Sequence, residues 1–333
     1  MKQDVGVVVL NYNAGVVTTI CLKSLLGLKQ PPAVVAVCDN DSDDDSWDVL
    51  TGWCRLATGS DPVLRPRPDC HDWGASCCLE YALPAGKTRI VLLRTARNLG
   101  FAGGNNVGLR YLLDQNSVRH LWLLNNDTEV EPDTLDHLLA ALDAQPGSGM
   151  VCSTVRYRRA PGLVQAYGGG RYYPLLGSTT LNGNGCRYDA SDAESRVHER
   201  RDFPLGASML VRRRFVTEVG LLDEGFFLYF EELDWLLRAR GRFSLAYAPR
   251  SIVWHREGAS IGACQDKVGG KSLVGDFHFQ RSRLLLSRKH YPRYYPLVVA
   301  SLVVTLCKRI MRGQVNRVPM LWRCIREASR EPV

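Results

Sequence analysis

Asn125-Asn126-Asp127-Thr128 closes the apolar run Leu121-Trp122-Leu123-Leu124, so a buried strand stops at a lone carboxylate flanked by amides. Open α/β sheets place their ligands at the carboxyl ends of their strands. An acid there can hold Mg²⁺ or Mn²⁺ against a diphosphate, because these hard cations share one or two carboxylates with substrate phosphates. The same Asp127 can instead cap the helix that begins near Pro132, or close an Asx-turn. Two more apolar runs, 5–10 and 33–38, end in Asn11-Tyr12-Asn13 and Asp39-Asn40. There a ring can stack on a base and a carboxylate or amide can read its edge; ordinary turn chemistry is the alternative.

Three further blocks carry chemistry. Residues 98–106, Asn-Leu-Gly-Phe-Ala-Gly-Gly-Asn-Asn, hold three glycines and three asparagines at the opening of a helix. That composition lets the backbone approach a ligand and aim N–H groups at it. It is not the G-x-G-x-x-G fingerprint of dinucleotide sites. Residues 220–235 place Glu231, Glu232 and Asp234 between aromatics and an apolar helix over 235–239. A carboxylate in such surroundings has a raised pKa, which suits a general base near neutrality; a helix N-terminus that favours acids accounts for part of the pattern. Val253-Trp254-His255-Arg256 then sets a His at the end of a β-rich run, as a metal ligand or as a satisfied core residue.

The elements that must position these residues alternate. Strands over 5–10, 33–38, 89–93 and 120–124 are interleaved with helical patterns over 18–28 and 107–113. This argues for a mostly parallel sheet covered by helices on both faces. Residues 55–88 break the rhythm with prolines at 62, 66, 68 and 84, and read as an insertion. Their Cys70, Cys77 and Cys78 lack zinc-site spacing. Residues 151–205, with Gly168-Gly169-Gly170 and Asn182-Gly183-Asn184-Gly185, read as hairpin and turn material.

At 333 residues, 45% hydrophobic and 23% charged, the chain is globular in composition. Eleven scattered cysteines and an opening strand without a cleavage-site pattern predict a reducing, cytoplasmic setting. The net charge of +8 is concentrated at the end: 271–333 carries 13 Lys or Arg against 3 acids. Residues 297–306 are apolar and followed by Lys308-Arg309, too short to span a bilayer. They suit an anionic membrane surface, with packing on the rest of the chain or in a homodimer as the competing reading. Nothing in the basic tail resembles a nucleic-acid module.

Together, the blocks at 98–106, 125–127, 226–234 and 255–260 resemble glycosyltransferase family 2, and within it the rhamnosyltransferase-like branch of cell-surface polysaccharide and lipopolysaccharide assembly. The resemblance spans roughly 5–292 apart from the insertion. It implies a GT-A fold, the Rossmann-like fold of nucleotide-diphospho-sugar transferases, with a mixed, mostly parallel sheet. The implied catalytic domain is 1–265, divided into a nucleotide-binding half (1–128) and an acceptor and metal half (129–265), followed by a helical extension over 266–333.

By resemblance, Asn11, Tyr12, Asp39, Asn40, Asn98, Gly100, Asn105, Asn126, Arg256 and Ser260 surround the donor. Asp127 and His255 take Mg²⁺ or Mn²⁺, with Asn125 where the family's Asp-X-Asp motif has its first acid. Glu232 is the base, with Glu231 as runner-up, and Asp234 and Trp235 meet the acceptor. The implied reaction is inverting transfer, L-rhamnose from dTDP-L-rhamnose being the first choice of donor. A UDP-sugar such as UDP-GlcNAc or UDP-Gal is the alternative, as is a non-catalytic sugar-nucleotide module. The implied acceptor is lipid-linked or a glycan, met at the inner face of the cytoplasmic membrane through 290–330.

Overall fold

The computed structural model describes residues 4–64, 67–83, 88–256, 272–311 and 318–330. The first half winds strand against helix: β1 (Val5–Asn11), α1 (Gly15–Leu26), β2 (Val34–Asp39), α2 (Ser46–Thr58), β3 (Val63–Leu64), α3 (Arg67–Trp73), β4 (Cys77–Ala82), β5 (Arg89–Arg94), α4 (Gly100–Leu113) and β6 (His120–Asn125). Then come β7 (Thr128–Val130), α5 (Thr134–Asp143), β8 (Ser148–Tyr157), β9 (Val164–Tyr167), β10 (Gly169–Tyr173), β11 (Ser178–Leu181), α6 (Ala190–Ser195), β12 (Phe203–Pro204), β13 (Ser208–Arg212) and α7 (Arg213–Val219). The chain closes with α8 (Glu231–Arg238), β14 (Ser244–His255), α9 (Leu273–His290), a 3₁₀ turn (Pro292–Tyr294), α10 (Tyr295–Met311) and α11 (Val318–Arg330).

An eleven-stranded sheet runs β3-β4-β5-β2-β1-β6-β13-β8-β14-β7, with β9 added on β8. The block β5-β2-β1-β6 is parallel throughout. Antiparallel pairings join at β4, β13, β7 and β9, and β8 and β14 run parallel again, so the sheet is mixed with long parallel stretches. Alternation along β1 sends Val7 and Val9 to a core shared with Leu22 and Leu25 of α1 and Leu50 of α2. Val8 points to the opposite core, against Val107, Tyr111 and Leu112 of α4. Burial on both faces is why these strands read as continuous apolar runs.

The chain adds β2 and then β5 on one side of β1, and β6 on the other. Strand order therefore reverses beside β1, at the strand ends that carry Asn11, Asp39 and Asn125. Residues 55–88 are more than an insertion. Arg55 to Thr58 complete α2, and β3 and β4 extend the main sheet, with Cys78 fully buried. The Gly-rich stretch after β8 supplies a separate three-stranded sheet, β11-β10-β12, as its turn chemistry led one to expect. The last three helices pack around Leu284, Val298, Leu302, Leu321 and Cys324.

Candidate active site

Parallel pairing sets Asn11 level with Asp39, and Leu10 level with Asn125, so three strand ends stand side by side. Asn11 Nδ2 donates to Asp39 Oδ1 at 2.8 Å, and Ser42 Oγ donates to the same oxygen at 2.6 Å. Thr18 Oγ1 donates to Asn11 Oδ1 at 2.7 Å and accepts from Asn126 Nδ2 at 2.9 Å. Arg94, level with Asp39 on β5, brings its Nε to 3.6 Å from Asp39 Oδ2. Asn11, Asp39 and Asn126 are all buried. The structure thus gathers these expected donor residues, with their side chains joined by these bonds into a frame. Tyr12 is half-buried at the rim.

A second frame forms around Asn40. Its Nδ2 donates to Asn98 Oδ1 at 2.9 Å and to the Gly100 carbonyl at 3.1 Å, and its Oδ1 accepts from the Leu99 amide at 2.9 Å. As the composition of residues 98–106 suggests, they open a helix, and α4 begins at Gly100. Gly100 has φ +72°, and a Cβ there would stand 2.3 Å from the Phe227 carbonyl oxygen. That oxygen accepts from the Phe101 amide at 2.6 Å. Asn105 departs from its expected donor contact: it is buried and donates to Phe101 O of its own helix at 2.9 Å.

Asp127 does not cap the following helix, because α5 starts at Thr134 behind Asp133. It meets His255 instead. The β7–β14 pairing sets His255 opposite Thr128, and His255 Nε2 lies 3.0 Å from Asp127 Oδ1. Gln165 Oε1, an acceptor only, faces His255 Nδ1 at 2.7 Å, which orients the ring with Nε2 toward the Asp127 carboxylate. An acid beside a His that is oriented through its other ring nitrogen is a common metal-site arrangement. Among the described residues no third His, Cys, Asp or Glu joins them. Mg²⁺ or Mn²⁺ sites completed by substrate phosphates are built in this way, so these residues fit such an ion. Arg256 follows at the strand end, with Nη2 3.1 Å from Glu129 Oε1; Ser260 lies outside the described residues.

The third component sits at the start of α8, on the loop whose Phe227 docks on α4. Tyr229 and Phe230 both take left-handed conformations, φ 67° and 70°, immediately before Glu231. Non-glycine residues in that region store strain of about 1–3 kcal/mol each, and they cluster at functional sites. Glu231 is buried and Glu232 half-buried; an oxygen of each, Oε2, is enclosed without a hydrogen-bond partner among the described residues. Burial lifts the Glu232 carboxyl to about 7. Burial, and then the neighbouring Glu232 charge, push Glu231 well above the usual carboxylate range.

The acceptor contacts expected of Asp234 and Trp235 are not available. Both side chains are fully buried, because the helix turns them into the interior. Trp235 packs edge-on against Phe215 and donates to Gly220 O at 2.8 Å. Asp234 is held by Arg238, Lys289 and His290. Burial alone would raise its pKa, but hydrogen bonds from His290, Lys289 and Arg238 outweigh this and bring it to about 2.

Sequence reasoning missed Gln165, Thr18, Ser42 and Lys289. Gln165 had one signal, a single polar residue inside the wholly buried strand Val164–Tyr167.

A doubly wound parallel block with a metal-compatible Asp–His pair and a carboxyl pair at its switch-point edge defines the GT-A class of nucleotide-sugar-binding folds. Residues 71–267 match the model of the glycosyltransferase-like family 2, and the chain belongs to that family. Over 269 residues it is 26% identical to the low-salt glycan biosynthesis hexosyltransferase Agl10 of Haloferax volcanii, a match covering 80% of this chain and 66% of that protein. It therefore spans just under two thirds of that relative's length. It is 23% identical over 235 residues to the dTDP-rhamnosyl transferase RfbF of Shigella flexneri, covering 69% of this chain and 74% of the relative. Among solved structures, the Pyrobaculum calidifontis mannosyltransferase PcManGT in complex with GDP-Man and Mn²⁺ matches with TM-score 0.52 at 13% identity. That match covers 100% of this chain and 77% of the other; the likeness is one of fold.

Proposed function

We propose that this protein transfers a sugar from a nucleoside-diphosphate donor to a hydroxyl of a lipid-linked or glycan acceptor, with inversion at the anomeric carbon. The observation that carries the reading is the Glu231–Glu232 pair, two enclosed carboxyls on a strained turn that docks on α4 beside the donor-side strand ends. Glu232, with its pKa at about 7, is half deprotonated at neutral pH. It takes the proton of the acceptor hydroxyl as that oxygen attacks the anomeric carbon, and the bond to the nucleoside diphosphate breaks on the opposite face. Glu231 keeps its proton and holds the pair together.

Asp127 and His255 would hold Mg²⁺ or Mn²⁺, which when bound supplies positive charge to the departing diphosphate. Asn11, Asp39 and Asn40 keep the strand ends rigid around the nucleotide, Tyr12 offers its ring to the base, and Arg256 offers a cation near the phosphates. The named activity of the RfbF relative favours dTDP-L-rhamnose as donor. On the acceptor side, a cleft of about 860 Å³ opens between the Gly225–Phe227 turn and helices α9 and α11, and includes Phe227, Phe277, Arg281 and Met320. Apolar side chains stand there beside Arg281, Arg323, Glu224 and Glu327, a mixture that suits an amphipathic acceptor.

Isothermal calorimetry with dTDP-rhamnose, UDP-GlcNAc, UDP-Gal and GDP-mannose tests the donor, with Mn²⁺ and again with EDTA. The expected result is metal-dependent binding of dTDP-rhamnose, with nucleoside diphosphate released on incubation. Preference for another sugar nucleotide would replace rhamnose, and binding without any release would favour a non-catalytic module.

A further inference from the structure

The turn that carries the candidate base is fastened along its whole length to α9. Arg281 Nη1 donates to Gly225 O at 2.8 Å, and Ser282 Oγ donates to Leu228 O at 2.9 Å. The Phe279 ring lies 5.6 Å from that of Tyr229 and 5.2 Å from that of Phe230, the two left-handed residues. Two turns further along, Lys289 Nζ bridges Asp223 Oδ2 at 2.5 Å and Asp234 Oδ1 at 2.8 Å. His290 Nε2 meets the same Asp234 oxygen at 2.7 Å. The Lys289 ammonium therefore joins the beginning of the turn, at 223, to the helix that follows it, at 234. From within α8, Arg238 closes the same loop by donating to Val219 O and Leu221 O at 2.8 and 2.7 Å.

A buried carboxylate gripped by Arg238, Lys289 and the His290 ring is a costly arrangement, and removing one partner from such a cluster is strongly unfavourable. Asp234 stands two residues beyond Glu232 on the same helix, so its grip fixes the rotation of α8 and with it the direction of Glu231 and Glu232. The two residues before Glu231 are in strained conformations that persist only where surrounding contacts over-determine them. Those contacts come from α9 and, at Phe230, also from the Tyr172 ring of β10.

We infer that Lys289 and His290, at the end of α9, are positioning residues that hold the Asp223–Asp234 turn closed and aim the Glu231–Glu232 pair at the acceptor. This rests on the base assignment above, and gives α9 a part in the catalytic domain rather than in a detachable extension.

The test uses the full chain with Lys289→Met, Lys289→Arg, His290→Leu and His290→Gln. Turnover is followed with whichever sugar nucleotide the donor panel selects, and hydrogen–deuterium exchange is read across 219–238. Misplacement of a catalytic group by about 1 Å costs on the order of 100-fold, so Lys289→Met and His290→Leu are expected to lower kcat by roughly 10- to 100-fold. Donor KM should stay within about twofold, as for loss of an interaction made only in the transition state. Exchange is expected to quicken in 219–238 while β1, β2 and β6 stay protected. Lys289→Arg and His290→Gln, which keep a donor, should recover most of kcat. Unchanged kcat in the two disruptive variants, a KM rising in step with the loss, or exchange that quickens throughout the sheet would overturn the inference. Turnover persisting in Glu232→Gln would instead sink the base assignment, and the exchange measurement, which needs no substrate, still decides whether α9 holds the turn.

Discussion

Glu231 and Glu232 show how far residue type alone can be read, and where it stops. The aromatic approach to the acidic triplet announced carboxyls of raised pKa, and both are raised. Residue types did not reveal that the third acid of the triplet turns inward onto Lys289, because nothing local links 234 to a lysine on a distant helix. Glu232→Gln is expected to lower kcat on the order of 100- to 10,000-fold, the usual worth of a general base, with donor affinity unchanged by calorimetry. In the unsubstituted protein, kcat should rise with pH through about 7, because the base works only when deprotonated. Stability runs the other way. A carboxyl whose folded pKa is raised contributes stability below its unfolded value, near 4.3, and loses it as pH climbs through about 7. The Gln variant should therefore gain on the unsubstituted protein in urea midpoint between pH 5 and pH 8. A pH–kcat profile flat from 6 to 8 would contradict the assignment.

At the scale of elements, the parallel strands were the most legible part. They are buried on both faces, and their apolar runs end where the polar strand ends begin. The glycines of 98–106 open a helix, as their pattern suggests, and Gly100, Gly103 and Gly104 stand where a Cβ would meet neighbouring atoms. Gly100 lets α4 meet Phe227, a neighbour that only the folded chain brings near. Gly100→Ala forces a side chain into a left-handed residue, a cost of roughly 1–2 kcal/mol. It also pushes on the Phe227 carbonyl, displacing the turn that carries Glu231 and Glu232. We expect a lower urea midpoint and a loss of turnover larger than the unfolded fraction explains. Gly52, inside α2 with open space around its Cα, is the control: Gly52→Ala should stabilise by about 0.5–1 kcal/mol and leave turnover alone. Equal behaviour of the two variants would argue against the packing role.

For the molecule as a whole, the uneven charge and the last helices go together. The described exposed positions of α10 include Leu297, Val303, Val304, Ile310 and Met311, an apolar row at helical spacing, while Val298 and Leu302 on the other side pack inward. Packing on the domain and an outward apolar face were competing readings of this stretch; the helix has both. Among the described residues no helix is long and apolar enough to cross a membrane. With +10 of net charge over 271–333, the row suits an anionic lipid surface. In flotation assays the full chain should rise with phosphatidylglycerol vesicles far more than with phosphatidylcholine vesicles. A Val303→Asp, Val304→Asp double variant should stay behind, and equal flotation of variant and parent would remove the membrane from the account.

The strand-end frame has a kinetic consequence. Some of its bonds join residues remote in sequence: Asn126 to Thr18 across 108 positions and Asn11 to Asp39 across 28. Loops of that length must close before such contacts can form, and pairings of this kind are slow to assemble. The Ser42–Asp39 and Thr18–Asn11 bonds can form locally, but the complete frame arises only when β1, β2 and β6 have met. During refolding, helical signal should return first and sugar-nucleotide binding last, which makes the donor itself a reporter of the final folding step.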